Sequence, residues 1–255
     1  MNTRNKEGFT LVELLVVIGI LGILSAALFP AISSAVQSAN MTAVGVRGKD
    51  IFVTITAANT EREPLGLGNI WPRTKDDGSE DPNSPASSQG GTSAVEYFKR
   101  LYDEQNMSNP LQWQPFAGFD YSKLAGAGVK TPPQGQLRPA NCMWCIGANV
   151  RDEMEDVIPI LATRNMAVEG LATAYQGVSE TKVLLGQGQY KEPFSNKAFV
   201  IIRKGGAIYK ASGRYSTLKV IYSGQRFDLN PGGGSTDMDP FQYLTPDGKV
   251  TPSGT

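Results

Sequence analysis

The 255-residue sequence contains no histidine and only two cysteines. Lacking histidine, it has neither the commonest general base nor the commonest nitrogen ligand, which argues against a hydrolase triad and against an ordinary zinc-hydrolase site. Neither sign of charge is in excess, with 24 Lys and Arg against 24 Asp and Glu. Residues 1–8 hold two of the bases and one of the acids, so the remainder carries 22 and 23. That balance offers no global electrostatic case for a nucleic-acid partner, and none is expected. There is no internal repeat and no low-complexity tract long enough to link separate folded domains. The most informative lack is local: between Phe9 and Val46 the single charged residue is Glu13.

That uncharged stretch holds an apolar run from Leu14 to Ile32, interrupted by nothing more polar than Ser25. As a helix its length is about 28 Å, close to the ~30 Å hydrocarbon core of a bilayer. Arg4 and Lys6 stand just before it, which by the positive-inside rule holds the N-terminus in the cytoplasm and sends the rest of the chain across. A secretory signal peptide should end in a small-residue cleavage site after a shorter apolar core. Here Ser25-Ala26-Ala27 is a poor version of such a site, and the apolar run continues past it.

Gly8-Phe9-Thr10-Leu11-Val12-Glu13, continuing through Leu14-Leu15-Val16-Val17-Ile18, resembles the processing motif of type IV pilins and type II secretion pseudopilins. The resemblance covers roughly the first 50 residues. It implies cleavage after Gly8 by a prepilin peptidase, methylation of the new amine of Phe9, and Glu13 as an assembly residue. A carboxylate inside a membrane helix is costly and should find a partner. The Phe9 amine of an incoming subunit would serve, fixing the stagger of a filament. Snorkelling of Glu13 toward the headgroups is the alternative. Pro30 falls where the family commonly bends its helix. It lacks the N–H that would bond the carbonyl of Ala26, and Gly22 weakens the same region.

Beyond the apolar run, Met41, Val44, Gly48, Ile51, Ile55 and Ala58 recur at steps of three and four, which predicts an amphipathic continuation to about residue 62. Ile51, Val53 and Ile55 also alternate as in a strand, but the three-four pattern persists longer. Glu63-Pro64 and the glycines after it end the helix. Ile70-Trp71-Pro72-Arg73-Thr74 resembles a segment that often follows the long helix in pseudopilins. Ser93 with Glu96 reads as a capping box opening a helix through residue 103, with Ala94, Phe98 and Leu101 buried. Strands are expected over 143–146, 157–163, 182–185, 198–203 and 207–210, with another over 218–222. The glycines at 205 and 206 suit a hairpin turn. The expected fold class is therefore α+β: a long N-terminal helix packed on an antiparallel sheet, pilin-like. The expected division is a leader over 1–8, the helix over 9–62 and a globular domain over 63–255.

Cys142-Met143-Trp144-Cys145 admits three readings: a disulfide, two free thiols, or a metal or redox site. The exported side favours a disulfide, and a poor helix start after Cys145 disfavours a thioredoxin-type motif. Asp228, Asn230, Asp237 and Asp239 lie around a triple glycine and offer oxygen ligands of the kind calcium takes. Their spacing is not that of an EF-hand. The resemblance adds that major pseudopilins carry a calcium site in a loop near the C-terminus.

The resemblance makes the chain a structural subunit rather than an enzyme. Its implied partners are the prepilin peptidase, copies of itself and other pseudopilins, an inner-membrane assembly platform and the lipid bilayer. Its implied location is the bacterial inner membrane, single pass, with the C-terminal domain periplasmic, then a filament in the periplasm or at the surface. The rival readings are a membrane-anchored periplasmic binding domain that never polymerises and a tethered thiol oxidoreductase.

Overall fold

The computed structural model describes residues 10–74, 93–103, 137–172, 179–187, 191–225, 229 and 241–250. Helix α1 runs Leu11–Arg62, and the chain divides into the units Met1–Thr42 and Ala43–Thr255. The second unit thus begins inside the helix, which itself ends at Arg62.

Within the second unit, α1 buries Val44, Gly48, Ile51, Ile55 and Ala58, the stripe its three-four spacing predicts, while Val53 is exposed. That exposure settles the strand alternative, since a strand would place residues 51, 53 and 55 on one face. Two glycines set how near α1 comes to the sheet. A Cβ on Gly48 would lie 2.7 Å from the Trp144 ring and 2.8 Å from Ile202, and one on Gly45 would lie 2.7 Å from Ile208. Lys49 reinforces the contact: its Nζ donates to the Gly206 carbonyl at 2.8 Å and sits 4.6 Å from the Phe52 ring centre.

After α1 comes a 3-10 turn, Glu63–Leu65, closed by Gly66 at φ 69°, the left-handed conformation that favours glycine. The chain then folds back. Arg62 Nε donates to the Gly68 carbonyl at 2.8 Å, and the Ile70 N–H donates to Asn59 Oδ1 at 2.8 Å. Trp71 and Thr74 are buried. The Thr74 hydroxyl accepts from Asn149 Nδ2 at 2.8 Å and Gln242 Nε2 at 3.0 Å, while Asn149 Oδ1 accepts the Thr74 N–H at 3.1 Å.

Helix α2, Ala94–Asp103, opens as expected, with the Glu96 N–H donating to Ser93 Oγ at 3.2 Å. Ala94, Phe98 and Leu101 are all buried. The strands are β1 Trp144–Ala148, β2 Pro159–Thr163, β3 Ala198–Arg203, β4 Ile208–Ser212, β5 Gln242–Leu244 and the two-residue β6 Lys249–Val250. They form one antiparallel sheet in the order β4-β3-β2-β1-β5-β6, so β4 is an edge strand. The β3–β4 hairpin turns at Gly206, which has φ 76°.

Three strand expectations need correction. Residues 218–222 hold a one-turn helix, Leu218–Ile221, because the buried residues Leu218 and Ile221 are three apart, a helical spacing. Residues 182–185 make only isolated bridges, Lys182 with Thr217 and Leu185 with Met166. Strand β2 begins at Pro159 rather than 157, since Asp156 and Val157 lie in a turn.

Candidate functional site

Taken by itself, the first unit is a helix with its apolar side chains uncovered. From Leu11 at 79% exposure to Ile32 at 50%, its large hydrophobic residues all face outward. Among the described residues this is the one helix long and apolar enough to cross a membrane, judged by length and composition. A core helix of a soluble protein passes the same test, but it would be buried. This one is not. Helix α1 runs unbroken past Gly22 and Pro30, which itself donates no backbone hydrogen bond, and a Cβ on Gly22 would meet nothing within 4 Å.

Glu13 has a local partner that the sequence reading missed. Thr10 precedes the first helical residue, and its carbonyl accepts the Leu14 N–H at 3.3 Å. Its hydroxyl accepts the Glu13 N–H at 3.3 Å, while Glu13 Oε2 accepts the Thr10 N–H at 2.9 Å and the Thr10 hydroxyl at 2.8 Å. This reciprocal arrangement is a capping box, and its signal, Thr-x-x-Glu ahead of an apolar run, was legible in the sequence. Glu13 therefore serves the start of its own helix. Gly8 and Phe9, the residues expected from the sequence to be processed, lie outside the described residues. So do Asp228, Asn230, Asp237 and Asp239, the residues expected from the sequence to offer calcium ligands. Leu229, between the first two of these, is buried.

The disulfide expected between Cys142 and Cys145 is corrected: both are free thiols and both are buried. Cys145 lies in β1 opposite Ala162, and Cys142 lies just before the strand. In extended chain a three-residue step covers about 10 Å, beyond the ~4.4–6.8 Å between Cα atoms that a disulfide spans. Burial pushes the Cys142 thiol up to about 12, and Cys145 is also pushed well above the usual thiol range, chiefly by burial and secondarily by the Cys142 and Glu169 charges. Burial of this kind disfavours the thiolate, the form that acts as a nucleophile. Among the described residues no cluster of three His, Cys, Asp or Glu could hold a metal ion.

These thiols should resist alkylation in the native protein and react fully in denaturant. The linkage sign is set by their raised values. A group raised on folding contributes stability below its unfolded value, and that contribution is lost as pH rises toward the folded value. For Cys142 the window is from 9.0 to about 12. Replacing both cysteines by alanine should flatten the alkaline fall of the melting temperature, and an unchanged pH profile would count against this account.

Sequence reasoning also missed Arg164, which is buried and joins three backbone segments. Its Nη1 donates to the carbonyls of Pro139, Ala140 and Cys142 at 3.0, 2.7 and 2.9 Å, and its Nε donates to that of Glu192 at 3.3 Å. An arginine five residues past a strand start carries no sequence pattern that foretells this. Its role is structural.

The prokaryotic N-terminal methylation motif matches residues 3–29, so the chain carries the N-terminal signature of type IV pilins and pseudopilins. No curated protein and no solved structure matches. The motif and the uncovered apolar helix together support a processed, membrane-anchored subunit of pilin-like or pseudopilin-like type, whose family is structural rather than catalytic.

Proposed function

We propose that the protein is a structural subunit of a type IV pilus or a type II secretion filament. A prepilin peptidase cuts it after Gly8 and methylates Phe9, and it then polymerises through helix α1. Residues 63–255 form the domain displayed on the periplasmic or extracellular side. One observation carries this reading: a methylation motif that opens directly onto an uncovered apolar helix capped by Thr10 and Glu13. Such a face needs either lipid or other copies of the same helix to cover it. Lipid covers it before assembly and neighbouring helices afterward.

Mass spectrometry of the N-terminal peptide from native membranes tests the reading. The expected species begins at an N-methylated Phe9. An N-terminus that retains residues 1–8, or one trimmed near Ala27, would reduce the protein to an anchored domain and sink the filament reading.

A further inference from the structure

The balanced total charge conceals a segregation along strand β3. Residues 181–225 carry eight basic residues and a single acid, Glu192, whereas residues 151–156 carry four acids and one base. The fold places the four acids at the Arg203 end of β3, where Arg203, Lys204 and Lys49 also lie, and sets Lys182, Lys191, Lys197 and Arg214 toward the Ala198 end; β3 is six residues long and so spans about 17 Å. At the Arg203 end, Lys204 Nζ donates to the Asp152 carbonyl at 2.9 Å and the Gly205 N–H donates to that of Asp156 at 3.0 Å. This holds the turn bearing Asp152, Glu153, Glu155 and Asp156 at that end, with all four exposed. Lys204 offsets part of the charge, its Nζ being 3.9 Å from Asp156 Oδ1.

At the Ala198 end, the Gly213 N–H donates to the Lys197 carbonyl, the Val183 N–H to that of Ser216, and the Ser195 N–H to that of Lys191. These bonds gather Lys182, Lys191, Lys197 and Arg214, all exposed, around one end of the sheet beside edge strand β4. Arg214 lies 4.6 Å from the ring centre of exposed Tyr215. Among the described residues, Glu180 is engaged by Lys219 at 2.8 Å, and Glu192 is half-buried beside Arg164.

We propose that the basic end of one copy docks on the acidic turn of the next, a head-to-tail contact between globular units. The proposal rests on the filament reading above and names a surface within it. A second copy is favoured over a foreign polyanion because the complementary charge is on the chain itself. The two patches lie at opposite ends of one strand, so a single copy cannot bring them together. A heterologous contact of this kind propagates as an open assembly where its rotation does not close, and as a ring where it does. It also fixes register through like-charge repulsion in the wrong alignment. A plainer account makes the edge lysines a guard against strand-to-strand aggregation. That account predicts that glutamates at the same positions would serve equally well.

The test uses the full chain in cells that assemble filaments. K182E with R214E reverses one patch, E153K with E155K reverses the other, and the fourfold variant reverses both. Each double variant should lower filament yield about tenfold or more at unchanged melting temperature, and the fourfold variant should recover most of it. Wild-type yield from both double variants would overturn the contact, as would a fourfold variant no better than the doubles. Loss of binding to anionic phospholipid vesicles by the K182E/R214E chain, at wild-type filament yield, would assign the patch to a lipid surface instead and overturn it. If the wild-type chain itself forms no filaments, the subunit reading fails and this contact falls with it.

Discussion

Glu13→Ala should be inserted into the membrane and cut after Gly8, yet be missing from filaments. Two local effects oppose each other in this variant. The capping box is lost, which frays the first turn, and a carboxylate is removed from hydrocarbon, which favours insertion. A cap is worth less than the desolvation of a buried acid, so insertion should hold or improve. Assembly should suffer, because an incoming Phe9 amine would meet no counter-charge in apolar surroundings. Glu13→Gln separates the two roles, since glutamine can complete a capping box but carries no charge. If the amine pairing directs assembly, Gln should fail as Ala does. If capping is what matters, Gln should assemble and Ala should not. Immunoblots of membrane and filament fractions from one culture read all three forms. Wild-type filament yield from the Ala variant would remove Glu13 from assembly.

Gly48→Leu should be the most damaging single substitution on the inner face of α1. A Cβ there already falls 2.7 Å from Trp144 and 2.8 Å from Ile202, both fully buried, so a longer side chain must displace the sheet or leave its rotamer. Overpacking of this kind costs about 3 kcal/mol, which for a domain of this size lowers the melting temperature by roughly 6–12 °C. Gly48→Ala is the sharper case. Alanine gains ~1 kcal/mol of helix propensity, but overpacking costs about 1–3 kcal/mol, so the net should be a loss. Gly170→Ala, whose Cβ would meet nothing within 4 Å, is the control and should leave melting unchanged or slightly raised. Thermal unfolding of the full chain in detergent measures all three. A Gly48→Leu protein that melts with the wild type would mean the helix does not sit this close to Trp144.

The long helix and its buried face were legible because the 3.6-residue period persists over many turns, long enough for Val53 to distinguish helix from strand. The β3–β4 hairpin was legible for a local reason: glycines 205 and 206 interrupt a β-branched run. Residues 218–222 were misread because apolar runs of four or five suit either state, and only tertiary placement of Leu218 and Ile221 decided it. The cysteine pair was misread because spacing alone says nothing about chain extension. Arg164 and the Thr74–Asn149–Gln242 cluster join residues far apart in sequence, and no periodicity reports such meetings. Charge segregation was hidden by the zero sum, although residues 181–225 display it when counted alone. Thr10 is the exception, a local motif that was present and went unread.

The Thr74 cluster has a mechanical consequence. The chain that leaves α1 is tied through Asn149 and Gln242 to the ends of β1 and β5, both interior strands of the sheet. Tension drawn along the second half of α1 therefore enters the sheet through its middle. There it loads several hydrogen-bonded ladders together, instead of peeling an edge strand one bond at a time. A chain hauled by this helix would yield last where it is held most deeply.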